Sequence, residues 1–247
     1  MRWVTPALAW LRACRYIGPM ASAPEAPPAR IGVVTAQLAF VVIAALFVYG
    51  FVGVAKEAEL RRECSAPCYL HPDYLAADKR APAFTFKDLR GGTVSLEGLR
   101  GKVVLLNFWS KTCGPCLEEM PSLAELAQIV HDRPDVAVVA VSIDDGPDDV
   151  NPTLQTVLHG PPPFEVAFDP DAKVVTGAYG TRLFPETWIL DKQGVIRARF
   201  DGAREWNNPM VVNFLDGLRG GDYCPVTIDG PSLTGKAGKL CEEMSGT

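Results

Sequence analysis

The sequence predicts an α/β fold: a mixed central sheet flanked by helices, opened by a β-hairpin and preceded by one transmembrane helix. Three observations carry this reading. Residues Ile31–Ala55 contain no charged side chain, which is long enough to cross a bilayer as a helix. Val103–Trp109 and Val136–Ile143 are continuous apolar runs rich in β-branched residues, the pattern of strands covered on both faces. Helical patterns follow both runs, and strand–helix–strand–helix order implies a parallel central pair between helical layers.

The elements then follow in order. Residues 1–30 carry Arg2, Arg12, Arg15 and Arg30 and a proline- and alanine-rich stretch from Pro19, and read as a cytoplasmic leader. Pro6 and Arg12 interrupt any signal-peptide core, and Cys14 is expected to stay reduced on that side. Residues 31–55 form the transmembrane helix. Lys and Arg number four before it and three after it (Lys56, Arg61, Arg62), so the N-terminus is expected inside and the domain outside the cytoplasmic membrane. Residues 56–80 are expected to be a juxtamembrane linker carrying Cys64 and Cys68.

The main domain is expected over 81–219. Phe84–Leu89 and Thr93–Leu96 alternate on either side of Gly91-Gly92, a β-hairpin. Leu96–Gly101 leads into the strand Val103–Trp109. After it Leu117, Met120, Leu123, Leu126, Ala127 and Val130 recur at helical spacing, until Arg133-Pro134-Asp135 breaks the chain. The acidic stretch Asp144–Asp149 reads as a turn capping a helix over about 150–159, since it lacks the liganding pattern of a calcium loop. Gly160–Pro163 ends that helix. A short strand (Phe164–Phe168), a short helix (Ala172–Tyr179), a hairpin (Thr187–Leu190 with Val195–Phe200) and a closing helix (Trp206–Leu218) complete the domain. Residues 220–247 are a glycine-rich tail with Cys224 and Cys241.

Chemistry concentrates at Cys113-Gly114-Pro115-Cys116, where the first central strand gives way to a helix. A helix N-terminus carries unpaired N–H groups and roughly half a positive charge, so it favours a thiolate, and the thiolate is the form that attacks disulfides. Cys113, at the edge, is the candidate nucleophile. Cys116, one turn further in, is the candidate resolving thiol that releases the substrate. Pro115 fits the first turn because its missing N–H would have no intrahelical partner. A zinc half-site would need a second ligand pair nearby, and none stands there in sequence.

Cys64, Cys68, Cys224 and Cys241 allow three pairings. In an oxidising compartment they are expected to form two structural disulfides. These join either the juxtamembrane segment to the tail, or each pair locally. A second redox pair and a four-thiolate zinc site with His71 are the alternatives.

Phe108-Trp109…Cys113-Gly114-Pro115-Cys116, together with Phe184-Pro185-Glu186-Thr187-Trp188-Ile189-Leu190-Asp191, resembles the thioredoxin superfamily, and more narrowly the membrane-anchored TlpA/ResA-like thiol–disulfide oxidoreductases. The resemblance covers about residues 81–219. It implies a thioredoxin-like fold with the TlpA-type insertion near 147–168, and a disulfide reductase acting on protein thiols, for example in cytochrome c maturation. It implies a membrane electron donor of the DsbD/CcdA kind, and no cofactor beyond the dithiol. It implies a cis Pro185 and a substrate-binding set of Phe184, Pro185 and Trp109, with Phe184 offering a backbone edge to an extended substrate. Asn107 stands where thioredoxin has a buried Asp, and the resemblance implies that Glu119, three residues after the second cysteine, lies near the dithiol and assists proton transfer at Cys116; the alternative is a solvated glutamate that only favours the helix dipole. Thr112 stands where most relatives have Trp.

Other classes fare less well. A net charge of −5 gives no nucleic-acid footprint. A peroxiredoxin-like peroxidase would want Ser or Thr three residues before its cysteine, which Ser110 satisfies, and Pro four residues earlier, where Leu106 stands. A non-catalytic thioredoxin-fold adaptor would not need the dithiol.

Overall fold

The computed structural model describes residues 31–230, 232–233 and 236–245, so the leader over 1–30 lies outside the described residues. Two compact units divide at Gly53/Val54. In the first, helix α1 (Ile31–Leu70) exposes apolar side chains on all sides, Phe47 at 75 % and Tyr49 at 80 %. It is a helix long and apolar enough to cross a membrane.

The expected linker over 56–80 needs correction. Helix α1 does not stop at Ala55 but runs on into the second unit as far as Leu70. Lys56–Glu63 is made of good helix formers, with Glu57 four residues ahead of Arg61 and ion-paired to it at 3.0 Å. Cys64, Ala66 and Cys68 then turn a buried face to the domain. The helix ends where His71 takes a left-handed φ of 48° immediately before Pro72.

The second unit is built on one ten-stranded sheet, ordered β10-β9-β1-β8-β7-β4-β5-β6-β2-β3. At its centre β4 (Val103–Trp109) is parallel to β5 (Val136–Ser142) and antiparallel to β7 (Glu186–Leu190). All seven residues of β4 are buried. Val103, Leu105 and Trp109 point to one face, and Val104, Leu106 and Phe108 to the other. The first face is covered by α2 (Gly114–Ile129), α3 (Pro147–Leu158), α4 (Pro209–Gly220) and the end of α1, through residues such as Met120, Leu154, Phe214 and Cys68. The second is covered by a short π-helix, Lys173–Ala178, and by the hairpin β2 (Thr85–Asp88)–β3 (Thr93–Ser95). That hairpin joins the edge through β6 (Glu165–Phe168); β8 (Ile196–Asp201) lies beyond β7.

The other edge differs from a domain bounded at residues 81 and 219, because segments on both sides of those bounds join the sheet. Tyr74–Leu75 (β1) pairs antiparallel with β8, and Ile228–Asp229 (β9) pairs with β1. Ser232–Leu233 (β10) and helix α5 (Lys236–Ser245) follow. Two disulfides, Cys64–Cys224 and Cys68–Cys241, hold the end of α1 to this tail. All four of these cysteines are at most 5 % exposed, and none remains free to serve a zinc ion. Strand β1 and the two cross-links make the flanking segments part of the domain.

Candidate active site

Strand β4 ends at Trp109, and the chain turns through Ser110–Thr112 into α2. Asp144, just beyond β5, fixes this turn. It accepts hydrogen bonds from the Lys111 N–H at 2.7 Å and from the hydroxyls of Ser142 at 2.6 Å and Ser110 at 3.2 Å. Lys111 also pairs with Asp149 at the start of α3. The acidic stretch differs from the expected cap of a helix over 150–159: α3 starts at Pro147 with Gly146 at its N-cap and no side-chain cap, Asp148 and Asp149 lie in its first turn, and Asp144 instead anchors the approach to the motif.

Cys113 is the N-cap of α2, and its Sγ accepts a hydrogen bond from the Cys116 N–H at 3.2 Å. The sulfur occupies the position at which a helix end stabilises negative charge. Cys113 is partly exposed while Cys116 is fully buried, and the two are joined in a disulfide. Attack from solvent therefore reaches Cys113 first.

Strand β7 enters the sheet beside β4 at the same end, with Glu186 opposite Phe108. The Phe184–Pro185 peptide just before it is cis. Phe184 is partly buried and packs against the apolar clusters of both faces, while Leu183 beside it is 83 % exposed. Trp109 needs correction as a substrate-binding residue. It is fully buried on the α2 face of the sheet, because strand alternation sends it inward.

Glu119 lies one turn beyond Cys116 on α2, 3 % exposed. One carboxylate oxygen accepts from Asn107 Nδ2 at 2.7 Å. The other accepts from the Arg204 backbone N–H at 3.0 Å and Trp206 Nε1 at 2.9 Å. Asn107 also donates to Thr187 Oγ1 at 2.9 Å, so β4, β7 and α2 meet at this carboxyl. Burial pushes the Glu119 carboxyl above its ordinary range, against the opposing pull of the Trp206, Arg204 and Asn107 donors and the Arg204 charge. Asn107 Oδ1 is buried with no partner. Turning that amide over would let it accept the proton of a neutral Glu119, so the same residue can serve either protonation state.

A carboxyl held above its unfolded value favours the protonated form in the fold. Its contribution to stability is intact below the unfolded pKa and declines as pH rises toward the folded one. Glu119→Gln is therefore expected to raise the Tm of the oxidised protein at pH 8, by about 2–4 °C for each kcal/mol regained. The difference should close at pH 4, and a thermal melt series across pH checks it. Equal Tm values at both pH values would contradict this account of the site.

Glu186 is a second half-buried carboxyl, raised by burial and bonded by Trp188 Nε1 at 2.7 Å and by Thr181. It lies on the opposite face of the sheet from Glu119, with Phe108 and Trp188. Trp206 and Arg204, the donors to Glu119, were not legible as site residues, because nothing in the local sequence around them marks contact with a helix more than eighty residues earlier.

A mixed sheet with a dithiol capping the helix after its central strand, and a cis-proline on the neighbouring strand, has the architecture of a thioredoxin-like thiol–disulfide enzyme. Residues 77–199 match the AhpC/TSA family. The chain is 35 % identical over 121 residues to the thioredoxin-like protein YneN of Bacillus subtilis, covering 48 % of this chain and 68 % of that protein. It is 35 % identical over 127 residues to the thiol-disulfide oxidoreductase ResA of Bacillus thuringiensis, covering 51 % of this chain and 70 % of ResA. A crystal structure of a thiol:disulfide interchange protein DsbE from Chlorobium tepidum is similar with a TM-score of 0.51 and 29 % identity, over 58 % of this chain and 99 % of that one. The chain belongs to the ResA-like thiol–disulfide oxidoreductases of the thioredoxin superfamily, and its activity is that of an oxidoreductase.

Proposed function

We propose that this protein is a membrane-anchored, extracytoplasmic disulfide reductase for protein substrates. The observation that carries the reading is the partly exposed Cys113 Sγ capping α2, with Cys116 buried one turn behind it. Cys113 attacks a client disulfide as the thiolate and forms a mixed disulfide. Cys116 then attacks Cys113, and the client leaves reduced. Glu119 accepts the proton that Cys116 gives up, since a carboxyl raised by burial comes closer to the working pH. Phe184 and Pro185 offer the backbone edge along which an extended client segment lies.

The uncharged, exposed part of α1 serves as the anchor, with the cytoplasmic leader before it and the catalytic domain outside. Two buried disulfides beyond the dithiol suit an oxidising compartment. A membrane thiol donor of the DsbD/CcdA kind would return the oxidised pair to the dithiol, and apocytochrome c is a fitting client.

The test is turnover of a peptide disulfide and of hydrogen peroxide by the same preparation, with dithiothreitol as reductant. Disulfide reduction without substantial peroxide consumption is expected. Fast peroxide turnover would favour the peroxidase reading to which the AhpC/TSA match gives standing. Glu119→Gln is expected to shift the pH profile of disulfide reduction, and an unchanged profile would remove Glu119 from the mechanism.

A further inference from the structure

Glu119 accepts hydrogen bonds from three groups, Asn107 on β4 and the Arg204 backbone and Trp206 in the loop after β8, and Asn107 also donates to Thr187 on β7. The charge that acts on this carboxyl is that of Arg204, Cys116 precedes it by one turn on α2, and Asp73 stands beside the Arg204 guanidinium. Trp206 is itself fixed by an edge-to-face contact with Phe200, ring centroids 5.7 Å apart, and by its backbone N–H donating to Ser122 Oγ at 3.1 Å. The Arg204 backbone belongs to a loop, and something must hold it against the carboxyl.

That something is the far end of α1. Arg204 Nη1 donates to the Leu70 carbonyl at 2.8 Å and Nη2 to the His71 carbonyl at 3.4 Å. Asp73 stands 3.8 Å from Nη2, and the guanidinium lies 4.8 Å from the centre of the Phe200 ring. The last carbonyls of a helix lack intrahelical partners and carry partial negative charge, so a cation is favoured there. The planar fork of an arginine suits two carbonyls at once. The end of α1 is fixed in turn by the disulfides at Cys64 and Cys68. Arg204, Trp206, Leu70 and His71 all lie outside residues 77–199, the span matched by the family.

We propose that Arg204 is a positioning residue for the exchange reaction: by gripping the C-terminal carbonyls of α1, its side chain holds its own backbone N–H on Glu119 and keeps a positive charge near that carboxylate. This rests on the reading of Glu119 as the proton acceptor of Cys116. In the step concerned, Cys116 gives its thiol proton to the Glu119 carboxylate, and its sulfur bonds to Cys113 Sγ. The bond from Cys113 to the client sulfur breaks, and the electron pair leaves with the client as thiolate. Losing the grip disfavours the Glu119 carboxylate, so a higher pH is needed before Glu119 can accept the proton.

The experiment is the pH profile of kcat for disulfide reduction by the detergent-solubilised full chain. Wild type is compared with Arg204→Ala, Arg204→Lys, Glu119→Gln and the Arg204→Ala/Glu119→Gln pair. Arg204→Ala is expected to move the acid-side midpoint of the profile upward by about half a pH unit with KM little changed. Arg204→Lys should recover part of that shift. In the Glu119→Gln background Arg204→Ala should add no further shift, because the two residues act as one unit. A midpoint unmoved by Arg204→Ala, in a protein where Glu119→Gln does move it, overturns the role of Arg204 and leaves Glu119 standing. A shift that persists in the Glu119→Gln background also overturns it. A profile insensitive to Glu119→Gln removes both readings together. If Arg204→Ala does not fold, Arg204→Lys carries the test, with an unmoved midpoint counting against the proposal.

Discussion

Replacing Cys116 with Ser is expected to arrest the protein as a mixed disulfide with its client through Cys113, while replacing Cys113 with Ser should reduce turnover to that of the reductant alone. The asymmetry follows from the site. Cys113 Sγ is partly exposed and receives the Cys116 amide at the start of α2, so a thiolate there is both stabilised and reachable. Cys116 is fully buried and meets only what Cys113 has already captured. With Ser at position 116 the first step proceeds and the second has no nucleophile. Mass spectrometry of the protein incubated with a single-disulfide peptide checks this. The peptide should be retained on Cys116→Ser, not on Cys113→Ser, and retention by the reverse pair would invert the assignment of roles.

The second large effect concerns the other disulfides. Cys64–Cys224 and Cys68–Cys241 close loops with sequence separations of 160 and 173 residues. Loop-closure entropy assigns a cross-link of that span about 5 kcal/mol, and native disulfides commonly deliver about 2–5 kcal/mol when removed. Cys68→Ala/Cys241→Ala is therefore expected to lower the unfolding free energy of the domain by about 2–5 kcal/mol. Removing Cys64 and Cys224 as well should cost less than twice that, since the two loops overlap almost completely. The Cys113–Cys116 bond spans a sequence separation of 3, so opening it should change stability far less. Chemical denaturation of the variants, read by tryptophan fluorescence, measures the difference. A long-range pair that can be removed at no cost would show that α1 and the tail are held by packing alone.

How much of this could be read beforehand depended on distance along the chain. Val103–Trp109, α2, the cysteine motif and the hairpin of β2 and β3 were legible because each is signalled within about a dozen consecutive residues. Glu119 stood out through its spacing from Cys116 and Pro185 through its strand, both on family resemblance. The continuation of α1 to Leu70 was missed because the change from apolar to charged composition at Lys56 looks like a boundary. It is only a change of surroundings for the same helix. The two-residue strands β1 and β9 are too short to show alternation. Trp109 was misplaced because every residue of its strand is buried, so composition does not say which end of the strand meets a substrate. Two of the three donors to Glu119, the Arg204 N–H and Trp206 Nε1, come from 85 and 87 residues away, a distance over which local pattern carries nothing.

The central claim, a dithiol that reduces its clients, is tested most directly by the reduction potential of the Cys113–Cys116 pair in the full chain. Equilibration against dithiothreitol or glutathione buffers, with thiols counted by mass spectrometry, reports the long-range disulfides in the same samples. The account predicts a potential near that of thioredoxin, about −270 mV or lower, with Cys64–Cys224 and Cys68–Cys241 still closed where the catalytic pair is half reduced. A potential near about −120 mV, that of a strong oxidant, would contradict it and make the protein one that introduces disulfides.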